Sequence, residues 1–135
     1  MSCLFDSLFS LLNQYGIKFA NSHELRLKVT TFMAENPHYS LGKDQSESIE
    51  NWVKYTAKDQ RKTSQQYINA MRQRSTWGGG LEIAVMSKLF NCIIVVIRNN
   101  KVVSTFDNTD GDAEVKFTIN WTGSHYTPLN LEEIQ

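Results

Sequence analysis

The chain carries two cysteines, Cys3 and Cys92, and three histidines, His23, His38 and His125. A thiol becomes a nucleophile when its anion is favoured and an imidazole stands within hydrogen-bond reach. The opening stretch MSCLFDSLFSLL sets Cys3 where a helix would begin, and the unpaired N–H groups and dipole of a helix amino terminus stabilise an adjacent anion. Cys92 instead heads the apolar run CIIVVI and reads as a small buried hydrophobe. His23 falls at the amino end of a second helical pattern and His38 beside Pro37 in a loop; both read as surface or capping groups. His125 follows a Gly-Ser turn, at the entrance to a strand and ahead of Tyr126. Cys3 and His125 are therefore the candidate pair. A cysteine heading a helix is more often structural than reactive, so position alone leaves both readings open.

Other chemistries find little support. No Cys/His cluster has zinc spacing, so neither a metal nor a cofactor is expected. TWGGG follows no strand and lacks the lysine of a phosphate-cradling loop; the expectation is Trp77 in the core, with Gly78 to Gly80 letting backbone pass closely. Glu82 falls in the first turn of the next helix, where a carboxylate is favoured anyway. Lys54, Lys58, Arg61 and Lys62 surround Asp59 and read as a solvated helix face. Trp52 and Tyr55 are either core-facing or part of a contact surface. Fourteen basic residues balance fourteen acidic ones, which argues against nucleic acid or an anionic membrane as partner. No apolar run approaches the roughly 20 residues that span a bilayer. With no basic stretch before the first apolar residues and no disulfide framework, no signal peptide and a reducing cytoplasmic setting are expected.

The elements that must position Cys3 and His125 follow from the apolar periods. Leu4, Phe5, Leu8, Phe9, Leu11 and Leu12 recur at spacings of three and four, giving a helix that Gly16 can stop. Ser22 can cap a second helix carrying Leu25, Val29, Phe32 and Met33, ended where Asn36 precedes Pro37. A short helix is expected around Ile49 to Lys58. Thr63 or Ser64 can cap another with Tyr67, Ile68 and Met71, and LEIAVMSKLF supplies a fifth. The period then changes. CIIVVIRNNKVVSTF reads as two strands joined at Asn99–Asn100, the first of them apolar enough to be covered on both faces. NTDGD is a turn. EVKFTINW alternates, with Val115, Phe117, Ile119 and Trp121 on one face, and HYTPL is a last short strand. Helices followed by antiparallel strands make an α+β domain, and 135 residues suit a single domain over 1–135.

Taken in order, these blocks resemble the ovarian-tumour (OTU) family of cysteine proteases, most of which are deubiquitinases. CLFDSL is similar to the family's nucleophile helix, D-G-x-C-L-F-x-S-L or close to it. ELRLKVTTFMAENPHY resembles the second helix with its L-R-x-x-V and N-P-x-x-Y pieces. YINAMRQRSTWGGGLEIAVMSKLF matches the Y-x-x-x-M, W-G-G and E-[LI] block, IIVV the core strand, and HYTPL the strand with the catalytic histidine. The match runs from Cys3 to Leu129.

The resemblance implies a papain-like OTU fold, with helices packed around a small, mostly antiparallel sheet from the carboxyl-terminal half. It implies a thiol-dependent hydrolase of isopeptide bonds at the carboxyl terminus of ubiquitin or a ubiquitin-like modifier, acting as a monomer on ubiquitinated substrates, in a host cytosol if the source is viral or a bacterial effector. Cys3 would be the nucleophile and His125 the general base. Backbone N–H groups at Ser2 and Cys3 would hold the oxyanion. Trp121 and Tyr126 would line a channel for a Gly-Gly tail, and the polar helix near Lys54 could contact ubiquitin.

Two departures bear on mechanism. The family often places an aspartate three residues before the cysteine, which here would precede Met1, so the domain is expected to be excised from a longer polypeptide or to rely on Cys and His alone. The family's other source of the third catalytic group, two residues past the histidine and commonly Asp or Asn, is here Thr127. A hydroxyl can accept a hydrogen bond from the imidazole, but it cannot balance imidazolium charge as a carboxylate does. These departures sustain two rival readings: an inactive OTU-like module that binds ubiquitin, and a papain-like protease that processes a viral polyprotein.

Overall fold

A computed structural model describes residues 3–41 and 47–134. Helix α1, Cys3–Tyr15, buries Leu4, Phe5, Leu8, Leu11 and Leu12, the stripe that spacings of three and four place on one face. It stops at Gly16, whose φ of +108° a side chain would resist, and the Gly16 and Ile17 N–H groups both donate to the Leu12 carbonyl, at 3.0 and 2.9 Å. Helix α2, Ser22–Glu35, is capped by Asn21, whose Oδ1 accepts from the Glu24 N–H at 2.9 Å. The cap thus lies one residue before the expected Ser22; both side chains carry a suitable oxygen, and the backbone turns at the first.

Two short strands, β1 (Ser40–Leu41) and β2 (Glu47–Ser48), pair antiparallel ahead of α3, Ile49–Asp59, whose cap is Ser48. Helix α4, Ser64–Met71, opens with a capping box between Thr63 and Gln66. Helix α5 runs Gly80–Leu89.

The remaining strands are β3 (Cys92–Arg98), β4 (Lys101–Asp107), β5 (Val115–Trp121) and β6 (Tyr126–Glu133), ordered β4-β3-β5-β6 in one sheet. Asn99 and Asn100 turn the β3–β4 hairpin with φ of 54° and 64°, a conformation asparagine tolerates. The β3–β4 and β5–β6 pairs are antiparallel, but β3 and β5 run parallel. The expectation of antiparallel strands therefore holds for two pairs of three: β4 forms one edge, and the chain returns past it to place β5 on the far side of β3. Strand β3 alternates buried Cys92, Ile94 and Val96 with half-buried Ile93, Val95 and Ile97, so one face is fully covered and the other partly. Strand β6 continues well past HYTPL, to Glu133, because Leu131 still pairs with Phe117. Helix α1 lies against β6 and β5, with Tyr15 edge-on to Phe117 at 6.1 Å between ring centres. That packing brings the start of the chain to its end.

Candidate active site

Cys3 is the first residue of α1 and is partly exposed. Its carbonyl accepts from the Ser7 hydroxyl at 2.7 Å within the first turns. The other expected oxyanion group, Ser2, lies outside the described residues. Cys92 is a free thiol too, but it is sealed beneath α5, and burial pushes it up to about 12. Of the two thiols, only Cys3 can meet a substrate.

His125 sits exposed at the end of a tight β5–β6 turn. The Thr122 N–H donates to the His125 carbonyl at 2.9 Å, and the His125 N–H donates to the Thr122 Oγ1 at 3.1 Å. Gly123 supplies a φ of +106°, and a Cβ there would lie 2.9 Å from the Arg98 guanidinium. Arg98 stacks over Trp121 at 5.1 Å, and Trp121 in turn stacks on Tyr126 with centroids 6.3 Å apart and planes 26° apart. Thr122, Arg98 and this stack fix the turn that presents the imidazole.

Tyr126 links the two halves. Its hydroxyl is pushed above the ordinary tyrosine range by burial first, then by the negative charge a Cys3 thiolate adds, then by Glu82. The residue after His125 therefore lies within the field of Cys3. Cys3 begins α1, and His125 immediately precedes β6, the strand against which α1 packs. Thr127 pairs with Asn120 across the β5–β6 ladder and is exposed, two residues from His125 along the strand. Trp121 and Tyr126 are both half-buried beside the histidine.

A third element reaches the same place. A Cβ on Gly78 would sit 2.7 Å from Leu4 Cδ2 and 3.0 Å from Phe5 Cε2, so the loop before α5 presses on the residues after Cys3. The close approach expected of the glycine run is thus made by Gly78; Gly79 and Gly80 have room for a side chain. Trp77 is not in the core, as its apolarity suggested: it is 53% exposed, and its indole lies against His125 with ring centres 6.0 Å apart and planes tilted by 42°.

Behind the loop is a buried polar cluster. Glu82 is in the first turn of α5, as expected, yet 1% exposed. Its carboxylate accepts from the Gly79 N–H at 2.8 Å and from the Tyr67 hydroxyl at 2.7 Å. Burial holds its pKa above the ordinary carboxyl value, while the bonds from Tyr67 and Gly79 and the charge of Arg26 pull the other way. Arg26 is also buried: Nη1 donates to the Met71 carbonyl at 2.8 Å, Nη2 to the Arg74 carbonyl at 3.4 Å, and the guanidinium lies 4.4 Å from the Phe5 ring centre. Phe5 is therefore held between Arg26 and Gly78, two residues from the thiol.

The remaining motifs are peripheral. His38 is exposed near Glu50, and His23 lies on α2. Trp52 and Tyr55 face solvent as an edge-on pair 6.4 Å apart, which decides against a core role. Lys54, Lys58, Arg61 and Lys62 are exposed. Among the described residues no group of three His, Cys, Asp or Glu side chains could hold a metal ion.

Comparison with known proteins gives the family and the fold. The family model of the OTU-like cysteine proteases matches residues 2–126. Human "Ubiquitin thioesterase OTU1" is 27% identical over 128 residues, 95% of this chain and 32% of its own length; the zebrafish (Danio rerio) protein of the same name is 25% identical over 128 residues, 95% of this chain and 38% of its own. The chain thus spans about a third of the length of these relatives. Among solved structures, an ovarian tumour (OTU) domain in complex with ubiquitin shares the fold at a TM-score of 0.63 and 22% identity, over 97% of this chain and 67% of that one. The Hazara virus OTU bound to ubiquitin does so at 0.63 and 16%, over 99% and 76%.

Proposed function

The chain belongs to the OTU-like cysteine proteases, and from that membership we propose that it hydrolyses the isopeptide bond at the carboxyl terminus of ubiquitin or a ubiquitin-like modifier. Cys3 is the nucleophile and His125 the general acid and base. The thiolate attacks the terminal glycine carbonyl carbon, and the negative charge moves to the carbonyl oxygen, where backbone N–H groups at the start of α1 receive it. The imidazolium of His125 gives its proton to the leaving lysine amine, the C–N bond breaks, and a thioester remains on Cys3. A water molecule, its proton taken by His125, then hydrolyses the thioester and restores the thiol.

The single observation that carries this reading is the packing of α1 against β6, which sets the helix that begins at Cys3 beside the strand that follows His125. It supports the closure of the imidazole-bearing turn onto the thiol-bearing helix end. The ring surfaces of Trp121 and Tyr126 supply walls for a narrow glycine tail. Trp52 of α3, paired edge-on with Tyr55, lines a groove of about 560 Å³ together with Leu41, Leu81 and Phe106, an apolar surface suited to the body of ubiquitin. The enzyme acts as a monomer on ubiquitinated proteins of the cytosol.

A ubiquitin probe with an electrophilic carboxyl terminus tests the proposal. A covalent adduct, absent in Cys3→Ala, is expected. Binding without an adduct would leave an inactive ubiquitin-binding module, and neither binding nor adduct would mean a protease of another specificity.

A further inference from the structure

We propose that Trp77 is a positioning residue of the His125 imidazole, acting through its ring face. The inference rests on the hydrolase reading for its consequence, but not for its geometry.

Thr127, two residues past the histidine, offers only a hydroxyl on an exposed stretch of β6. What meets the imidazole instead is the indole of Trp77, with ring centres 6.0 Å apart. An indole face is electron-rich, so it attracts imidazolium more than neutral imidazole, and imidazolium is the partner a thiolate needs. The contact also limits how far the ring can swing about its side-chain bonds, the restraint that keeps a proton donor aimed at the leaving group.

An exposed tryptophan restrains a neighbour only if its own backbone is fixed, and here the loop is tied on both sides. Before Trp77, the Thr76 hydroxyl donates to the Ala70 carbonyl at 2.6 Å and the Thr76 N–H to the Gln73 carbonyl at 3.1 Å. Arg26 holds the Met71 and Arg74 carbonyls. After Trp77, Gly78 is wedged against Leu4 and Phe5, and the Gly79 N–H is held by Glu82, itself held by Tyr67. Through these ties the buried Arg26–Glu82–Tyr67 cluster sets the indole, and the indole sets the imidazole. A tryptophan 53% exposed on so firmly anchored a loop contributes little to the core, so its placement calls for a reason outside packing.

The charged and titratable groups around the turn are Arg98 of β3, against Gly123; Tyr126 of β6; and Cys3 of α1 and Glu82 of α5, both of which act on Tyr126. A substitution at Trp77 replaces none of these residues, and a shift in the titration of His125 alongside unchanged folding reports the indole.

The test compares Trp77→Leu and Trp77→Phe with the unaltered protein in three measurements: thermal unfolding, the pH profile of hydrolysis of a fluorogenic amide of the ubiquitin carboxyl terminus, and the His125 ring-proton titration by NMR. Folding should be unchanged. In Trp77→Leu, kcat should fall on the order of tenfold from lost orientation, and the alkaline limb and the NMR midpoint should both move down by about half a pH unit, as expected for loss of a partly exposed cation–π contact. Trp77→Phe should restore most of both. An NMR midpoint unmoved in Trp77→Leu overturns the inference whether or not the chain hydrolyses anything; so does a loss confined to KM, which would make Trp77 a wall for substrate only. A shifted midpoint in a protein with no turnover would sustain the indole–imidazole coupling while sinking the hydrolase reading.

Discussion

A methyl group on Gly78 would stand 2.7 Å from Cδ2 of Leu4, the residue that follows Cys3. Leu4 is 1% exposed and Phe5 fully buried, so neither can swing aside as a surface side chain would; Phe5 has the Arg26 guanidinium on its ring. Gly78→Ala must therefore push the first turn of α1 or the loop that carries Trp77. Overpacking of this kind costs about 1–3 kcal/mol. Because the displaced atoms adjoin the thiol, kcat/KM should fall by more than roughly tenfold, out of proportion to the stability loss. Chemical denaturation and steady-state rates on the same variant check this; full activity would mean that the helix end absorbs the methyl without moving Cys3.

The periods of three, four and two announce five helices and four strands, the last of them only as the short HYTPL, and the proposed pair Cys3 and His125 stands out because each falls at an element boundary. What escapes the sequence is mostly pairwise and distant. Trp77 is apolar, which favours an interior place, yet its partner His125 is 48 residues away (125 − 77), and no local pattern records that contact. Arg26 looks like a surface cation on a helix, and its burial depends on carbonyls at Met71 and Arg74 that only the folded loop brings to it. Strand direction leaves no trace in alternation, so the parallel β3–β5 pair is invisible there, whereas the Asn99–Asn100 hairpin announces itself through residues that accept positive φ.

The catalytic assignment predicts unequal losses. Cys3→Ala should abolish turnover, and His125→Ala should lower it by roughly a hundredfold or more. A rate in His125→Ala close to the unaltered one would remove His125 from its role.

Thr127 lies on the same strand as the turn that carries His125, opposite Asn120. Thr127→Asp, which places a carboxylate where the family commonly has one, should maintain or raise kcat. Thr127→Val should lower it if the hydroxyl helps orient the imidazole. An unchanged rate in Thr127→Val would leave orientation to other groups, Trp77 first among them.

The two thiols should separate chemically. Cys92 is buried and held up to about 12, so almost none of it is thiolate at neutral pH. Native protein treated with iodoacetamide at about pH 7.5 should take up one equivalent, at Cys3 by peptide mapping, and unfolded protein two. Rapid native labelling of Cys92 would show that β3 opens far more readily than its packing implies.

Glu82 gives the fold a pH dependence of definite sign. Its proton is bound more tightly in the folded chain than at the ordinary value of 4.5, chiefly because burial penalises the carboxylate. A group raised on folding favours the folded state most below its unfolded value, and that contribution declines as pH rises from about 4.5 toward the raised value. Glu82→Gln removes the titration while keeping a carbonyl for the Gly79 N–H and an amide that can donate to the Tyr67 hydroxyl oxygen. Unfolding free energies from denaturant titrations between about pH 4.5 and 7.5 should therefore change less with pH in Glu82→Gln than in the unaltered protein. Tyr67→Phe makes the complementary prediction. It strips the carboxylate of a buried donor, costs about 1–3 kcal/mol, and should steepen the decline, since the bond from Tyr67 is one of the forces opposing the raised value. Identical pH slopes in all three proteins would mean that Glu82 does not titrate in this range, and that the cluster behind Trp77 keeps one charge state throughout.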